Sequence, residues 1–132
     1  MDAIADYILE NYGGKVVEVC VGNYFKVAER IAEKLDVVCV DWRRPVKKTK
    51  LKFIVDDVMD PNLSIYENSE LIYSLRPPLE LYYYIVKISK AVKADCLIRP
   101  FGNEFSNDGK LVNYKGERFY MWFNRVLKTN KY

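Results

Sequence analysis

Val16-Val-Glu-Val-Cys-Val-Gly-Asn-Tyr24 reads as a short apolar strand running into a tight loop with one glycine, Gly22. The strand is expected over 16–21, and the glycine permits the tight turn after it. Val27, Ile31 and Leu35 then recur at helical spacing, which predicts a crossover helix over 24–34. Val37-Val-Cys-Val40 is a second strand with Asp41 at its end. Strand, glycine turn, helix, strand and terminal acid form the first half of a nucleotide-binding sheet.

Working outward, residues 3–11 carry Ile4, Tyr7 and Ile8 on one helical face, with Asp2 placed to cap it and Gly13-Gly14 to end it. Further strands are expected at 53–55, 70–75 and 94–98. Asp60-Pro61 reads as the start of a short helix, and Pro77-Pro78 as the start of a long one reaching about Val92. Ser106-Asn-Asp-Gly109 is a turn signal, and residues 111–114 and 118–123 flank Lys115-Gly116 as a β-hairpin. Right-handed crossovers favour an α/β, Rossmann-like open sheet, mostly parallel, of order 3-2-1-4-5 with a C-terminal antiparallel hairpin. The chain, 1–132, reads as a single domain. A ligand is expected above the carboxyl ends of the strands, where Gly22, Asp41, Asp57 and Arg76 converge.

Composition removes several chemistries. With no histidine in 132 residues, His general bases, Ser-His and Cys-His pairs and His-ligated zinc are excluded. Cys20, Cys39 and Cys96 lack CxxC spacing and each falls in an expected buried strand, so they read as reduced core thiols, and no metal is expected. No apolar run approaches a membrane span, and the acidic start Met1-Asp-Ala-Ile-Ala-Asp6 does not read as a signal peptide, so a cytoplasmic protein without a membrane partner is expected. A net charge of +3 does not by itself indicate nucleic acid.

Three features after the first three strands are candidates for a site. Gly22 and Asn23 form the turn after strand one, with Glu18 four residues before the glycine. One glycine instead of three argues against a pyrophosphate, and the acid suits a ligand with a cationic end; a plain βα turn is the other reading. Asp41 lies 19 residues after Gly22, near the spacing of a ribose-binding acid. Asp57, after strand three, is placed to accept an exocyclic amine, unless Asp56-Asp57 merely forms a turn.

Glu18-x-x-x-Gly22, Asp41 and Asp57, in that order, resemble the class I S-adenosylmethionine-dependent methyltransferases over residues 16 to about 100. Over its whole length the chain resembles a small uncharacterised archaeal family of truncated methyltransferase-like proteins. The resemblance implies S-adenosylmethionine as cofactor, with Glu18 and Gly22 at its methionine part, Asp41 at the ribose and Asp57 at the adenine. That family's motif reads acid-x-Gly-x-Gly-x-Gly; here Cys20 stands at the first glycine and Tyr24 at the third, where its ring would compete for ligand space.

Ser74-Leu-Arg76-Pro77-Pro78-Leu79 follows strand four, where amino-methyltransferases carry an amide or acid before Pro-Pro-aromatic. Arginine accepts no hydrogen bond from an amine, so Arg76 and Pro77 are candidates for holding an anionic acceptor, or else a surface Arg at a helix start. Arg43, Arg44, Lys47, Lys48, Lys50 and Lys52 place six cations in ten residues; a solvated loop, nucleic-acid phosphate and a 2′-phosphate are all open readings. Aromatics at 82–84 and 119–123 fit core packing, a base-stacking platform, or an oligomer contact on the hairpin. The function expected is binding of S-adenosylmethionine or a close adenosyl ligand, with methyl transfer to an anionic substrate. The alternatives are a non-catalytic module or RNA binding through residues 43–52.

Overall fold

The computed structural model describes residues 1–104, 106 and 108–126. Seven strands form one sheet in the order β3-β2-β1-β4-β5-β7-β6. The first five, β1 (Lys15–Val19), β2 (Asp36–Asp41), β3 (Lys52–Val55), β4 (Leu71–Leu75) and β5 (Asp95–Arg99), pair in parallel. The hairpin β6 (Lys110–Tyr114) and β7 (Glu117–Trp122) is antiparallel, with β7 against β5. Lys115 and Gly116 both have positive φ, 51° and 81°, as a two-residue hairpin turn matched to strand twist demands. Asn107, within the expected turn at 106–109, lies outside the described residues.

Period-two alternation divides the sheet into two faces. Val16, Cys39, Leu71, Tyr73, Leu97, Phe119 and Met121 point toward helices α1 (Asp2–Asn11) and α2 (Lys26–Ile31). Val17, Val19, Val38, Val40, Ile72, Cys96 and Ile98 point toward helix α3 (Tyr82–Val92). Three layers therefore bury β1 and β4 on both sides, which explains why both are mainly apolar, with Glu18 and Ser74 as buried polar exceptions. Phe119, Tyr120 and Trp122 are buried in this chain's own core, leaving Phe123 of that aromatic run exposed.

Several boundaries differ from expectation. Asp2 is the first residue of α1 and caps nothing; Met1 is the N-cap. Strand β1 stops at Val19 because Cys20 turns to a left-handed φ of 57°, so Cys20 sits past the strand and is only partly buried. Helix α2 begins at Lys26, after Phe25 and a turn in which the Tyr24 N–H donates to the Val21 carbonyl, and it has only six residues. Asp60 starts no helix: its N–H closes a turn onto Asp57, and Asn62 caps a short 3-10 turn, Leu63–Ile65. After Pro77-Pro78 the chain makes another 3-10 turn, Leu79–Leu81, before α3 begins. No helix occupies the β2–β3 connection, where the basic segment runs as an open loop.

Candidate functional site

The carboxyl ends of β1, β2 and β3 open onto a cleft of about 420 Å³. Cys20 forms its floor at the end of β1, Asp41 and Trp42 stand at the end of β2, and Asp56 and Asp57 follow β3. Val58, Met59, Pro78 and Leu81 supply apolar walls from the two connecting segments. This volume suits a nucleoside-sized ligand.

Asp41 organises the centre. Its Oδ2 accepts the Gly22 N–H at 2.8 Å and its Oδ1 accepts the Trp42 N–H at 2.8 Å. Each oxygen keeps a lone pair for a further donor. Gly22 has a φ of 59° and a Cβ there would meet nothing, so backbone conformation rather than crowding calls for glycine. The Gly22 N–H is committed to Asp41, and α2 is a short helix starting four residues later; the turn therefore offers no phosphate cradle.

The two aspartates after β3 differ. Asp56 Oδ1 accepts the Asn62 N–H and its Oδ2 accepts the Tyr66 hydroxyl, which ties down the 56–66 loop. Asp57 is exposed and accepts the Met59 N–H at 2.9 Å through Oδ1. Cys20 takes a left-handed conformation, φ 57°, that ordinarily favours glycine. Burial, then the nearby Asp41 carboxylate, pushes its thiol up to about 12, so at neutral pH it stays a thiol and no nucleophile.

Glu18 lies elsewhere. It is fully buried in β1 on the α1/α2 face, beside Cys39 and opposite Tyr73, and does not line the cleft. Burial pushes its carboxyl up to about 8, with Tyr73 opposing. The Tyr73 hydroxyl is near enough to exert that pull, yet neither it nor Glu18 Oε1 makes a hydrogen bond of normal geometry. Gly22 and Asn23 do not line the cleft; Asn23 Oδ1 accepts the Lys47 N–H. Tyr24 is 41% exposed and does not line the cleft. Arg76 is exposed with a φ of 57°, its N–H donating to the Arg99 carbonyl, and Pro77 is buried; Pro78 is the proline at the cleft wall. Two adjacent strands, β1 and β4, are thus each followed directly by a non-glycine residue at positive φ, a strain that clusters at working sites.

Trp42, Met59 and Leu81 were not foreseen as cleft walls. Trp42, 64% exposed directly after the strand-terminal acid, carried the one signal available, a large apolar residue heading a polar loop. Among the described residues no group of three His, Cys, Asp or Glu side chains is placed to hold a metal, and no helix is long and apolar enough to cross a membrane.

Solved structures with a similar fold include methyltransferases. An RNA methyltransferase from Salinibacter ruber, in complex with S-adenosyl-L-homocysteine, superposes with a TM-score of 0.64 at 13% identity, covering 97% of this chain and 94% of that one. An S-adenosylmethionine-dependent methyltransferase from Clostridium acetobutylicum gives 0.54 at 16% identity, covering 96% of this chain and 61% of that one. A protein of Archaeoglobus fulgidus is 50% identical over 119 residues, 89% of this chain and 91% of its own length. One from Methanocaldococcus jannaschii is 39% identical over 126 residues, 92% of each chain. These relatives carry the same family designation, and with that family's model matching residues 1–124, the chain belongs to the Uncharacterised protein family (UPF0146) and has a methyltransferase-like, Rossmann-type fold.

Proposed function

We propose that the cleft binds S-adenosylmethionine or a close adenosyl compound, and that the protein transfers its methyl group to an anionic acceptor. The observation carrying this reading is that Asp41 and Asp57, at the ends of neighbouring strands, line one cleft of nucleoside size. Asp41 suits a ribose, because each of its oxygens holds one backbone N–H and can accept one hydroxyl more. Asp57 suits the exocyclic amine of adenine, between the apolar Val58, Met59 and Leu81. Three carboxylates favour a cationic ligand, and the committed Gly22 N–H disfavours a dinucleotide with its phosphates. When bound, S-adenosylmethionine supplies a methyl group already electrophilic on a sulfonium centre. The chain's own residues then need mainly to orient an acceptor. Arg76, exposed after β4 and two residues before the cleft-wall Pro78, is the group for an anionic acceptor, while buried Pro77 sets the course of that segment.

Calorimetric titration with S-adenosylmethionine and S-adenosylhomocysteine tests the reading. The expected result is a Kd on the order of 1 μM, weakened at least about tenfold in Asp41→Ala. Absence of binding at about 1 mM ligand, or tighter binding of NADPH, would overturn it. Methyl turnover on carboxylate- or phosphate-bearing acceptors, lost in Arg76→Ala with ligand binding kept, separates an enzyme from a binding module.

A further inference from the structure

The loop between β2 and β3 is long, basic and unpaired. Residues 43–52 hold Arg43, Arg44, Lys47, Lys48, Lys50 and Lys52 and no acid. All six are exposed. Among the described residues none of the six forms an ion pair, although the same chain pairs Arg30, Lys115, Arg99 and Arg125 with carboxylates elsewhere. Glu29 on α2 borders the same hollow as Lys48 and Lys50 and pairs with neither. Cations left unneutralised this close together repel one another, and the fold gains nothing from keeping them so.

The loop also has a definite place. The Lys47 N–H donates to Asn23 Oδ1 at 2.9 Å, which docks the loop against the turn after β1. At its head Trp42 is 64% exposed, with the Arg43 guanidinium 4.7 Å from its ring centroid. A planar aromatic face with a stacked arginine, opening a row of free cations, matches what single-stranded nucleic acid offers: bases that stack and phosphates spaced along a flexible backbone. A folded acidic protein presents no such stacking face at each charge. Trp42 also forms part of the cleft wall. The cleft carries Asp41, Asp56 and Asp57 and repels phosphate, so a polyanion would track the loop and reach the cleft only through a base laid on Trp42.

We propose that Trp42 and the 43–52 loop form a docking surface for single-stranded nucleic acid, with phosphates on the lysines and arginines and a base stacked on Trp42. The proposal stands on the loop and does not require the cofactor reading.

Fluorescence anisotropy with a labelled single strand of about 15 nucleotides tests it, in RNA, DNA and duplex arms. If about four cations meet phosphate, log K should fall against log salt with a slope of about −3. Lys47→Glu with Lys48→Glu and Lys50→Glu should abolish most binding. Trp42→Ala should weaken it by about 5- to 150-fold and Trp42→Phe should restore most of that. Equal affinity for RNA and DNA supports recognition by phosphate and base face; an RNA preference supports it with a 2′-hydroxyl contact added. Salt-independent binding, unchanged affinity in the triple variant, or duplex binding indifferent to Trp42→Ala would overturn the proposal. The three lysines do not line the cleft, so calorimetry of the triple variant with S-adenosylmethionine reads the cofactor proposal separately.

Discussion

Glu18 is the residue whose chemistry and position disagree most. A carboxyl in the middle of β1, with every neighbour on its strand buried and apolar, has its charged form opposed by desolvation. Its value rises from 4.5 in the open chain to about 8 in the fold. The native protein therefore retains a proton that the unfolded chain has released, so stability falls as pH rises between those two values and is flat below the lower one. Glu18→Gln removes the titration and keeps the shape. The variant should match the wild type near pH 5 and exceed it near pH 8 by a few kcal/mol, on the order of 3. Urea unfolding at the two pH values checks this; parallel pH dependence in both proteins would show that Glu18 finds a partner in the native state. The spacing of Glu18 before Gly22 made it a candidate for the ligand, and spacing alone does not say which face a strand residue takes. The period of two does: Glu18 shares its parity with Val16, and both point to the α1/α2 face, within the strand and away from the cleft at its end.

At the scale of elements, Asp95 joins three parts of the chain that share no sequence neighbourhood. Its Oδ2 accepts the Tyr12 hydroxyl at 2.7 Å from the end of α1, and its Oδ1 accepts the N–H groups of Asn124 and Arg125 beyond β7. The carboxylate is buried, and its removal strands a buried phenol and two backbone donors. Asp95→Ala should cost about 3 kcal/mol, with Asp95→Asn recovering part of that, as chemical denaturation would measure. A loss under ~1 kcal/mol would mean that water replaces the carboxylate there. No pattern in the sequence marks this knot, because its partners are 83 and 29 residues from Asp95. The strand interiors, by contrast, were legible, since Val16-Val17 and Val37-Val-Cys-Val40 are apolar on both faces and rich in β-branched valine. Their ends were not: Cys20 and Arg76 adopt positive φ without being glycine, and only the tertiary structure sustains that. Helix α2 reads longer in sequence than it is because Leu35 continues the apolar period into the turn that already leads to β2.

Across the whole molecule the charges are segregated at one edge of the sheet: carboxylates inside the cleft, cations on the adjoining loop. The ends of β1, β2 and β3 and the segment after β4 meet around this cleft, and the Asp41 side chain joins the end of β2 to the turn after β1 through the Gly22 N–H. A ligand seated there adds contacts that the unfolded chain lacks, so it stabilises the fold by mass action. At a concentration of about 100 Kd the gain is about 2.7 kcal/mol, which for 132 residues corresponds to a rise in Tm of about 10 °C. Asp41→Asn separates the two duties of this side chain. The amide oxygen still accepts one backbone N–H, so the unliganded Tm should drop by only a few degrees, about 1 kcal/mol. The amide's N–H₂ cannot accept from a ribose hydroxyl and the side chain carries no charge, so the shift produced by S-adenosylmethionine should fall below about 3 °C at the same concentration. Scanning calorimetry on both proteins, with and without ligand, decides the matter. A full shift retained in Asp41→Asn would place the adenosyl ligand away from the end of β2, and a large drop without ligand would make Asp41 a structural residue only.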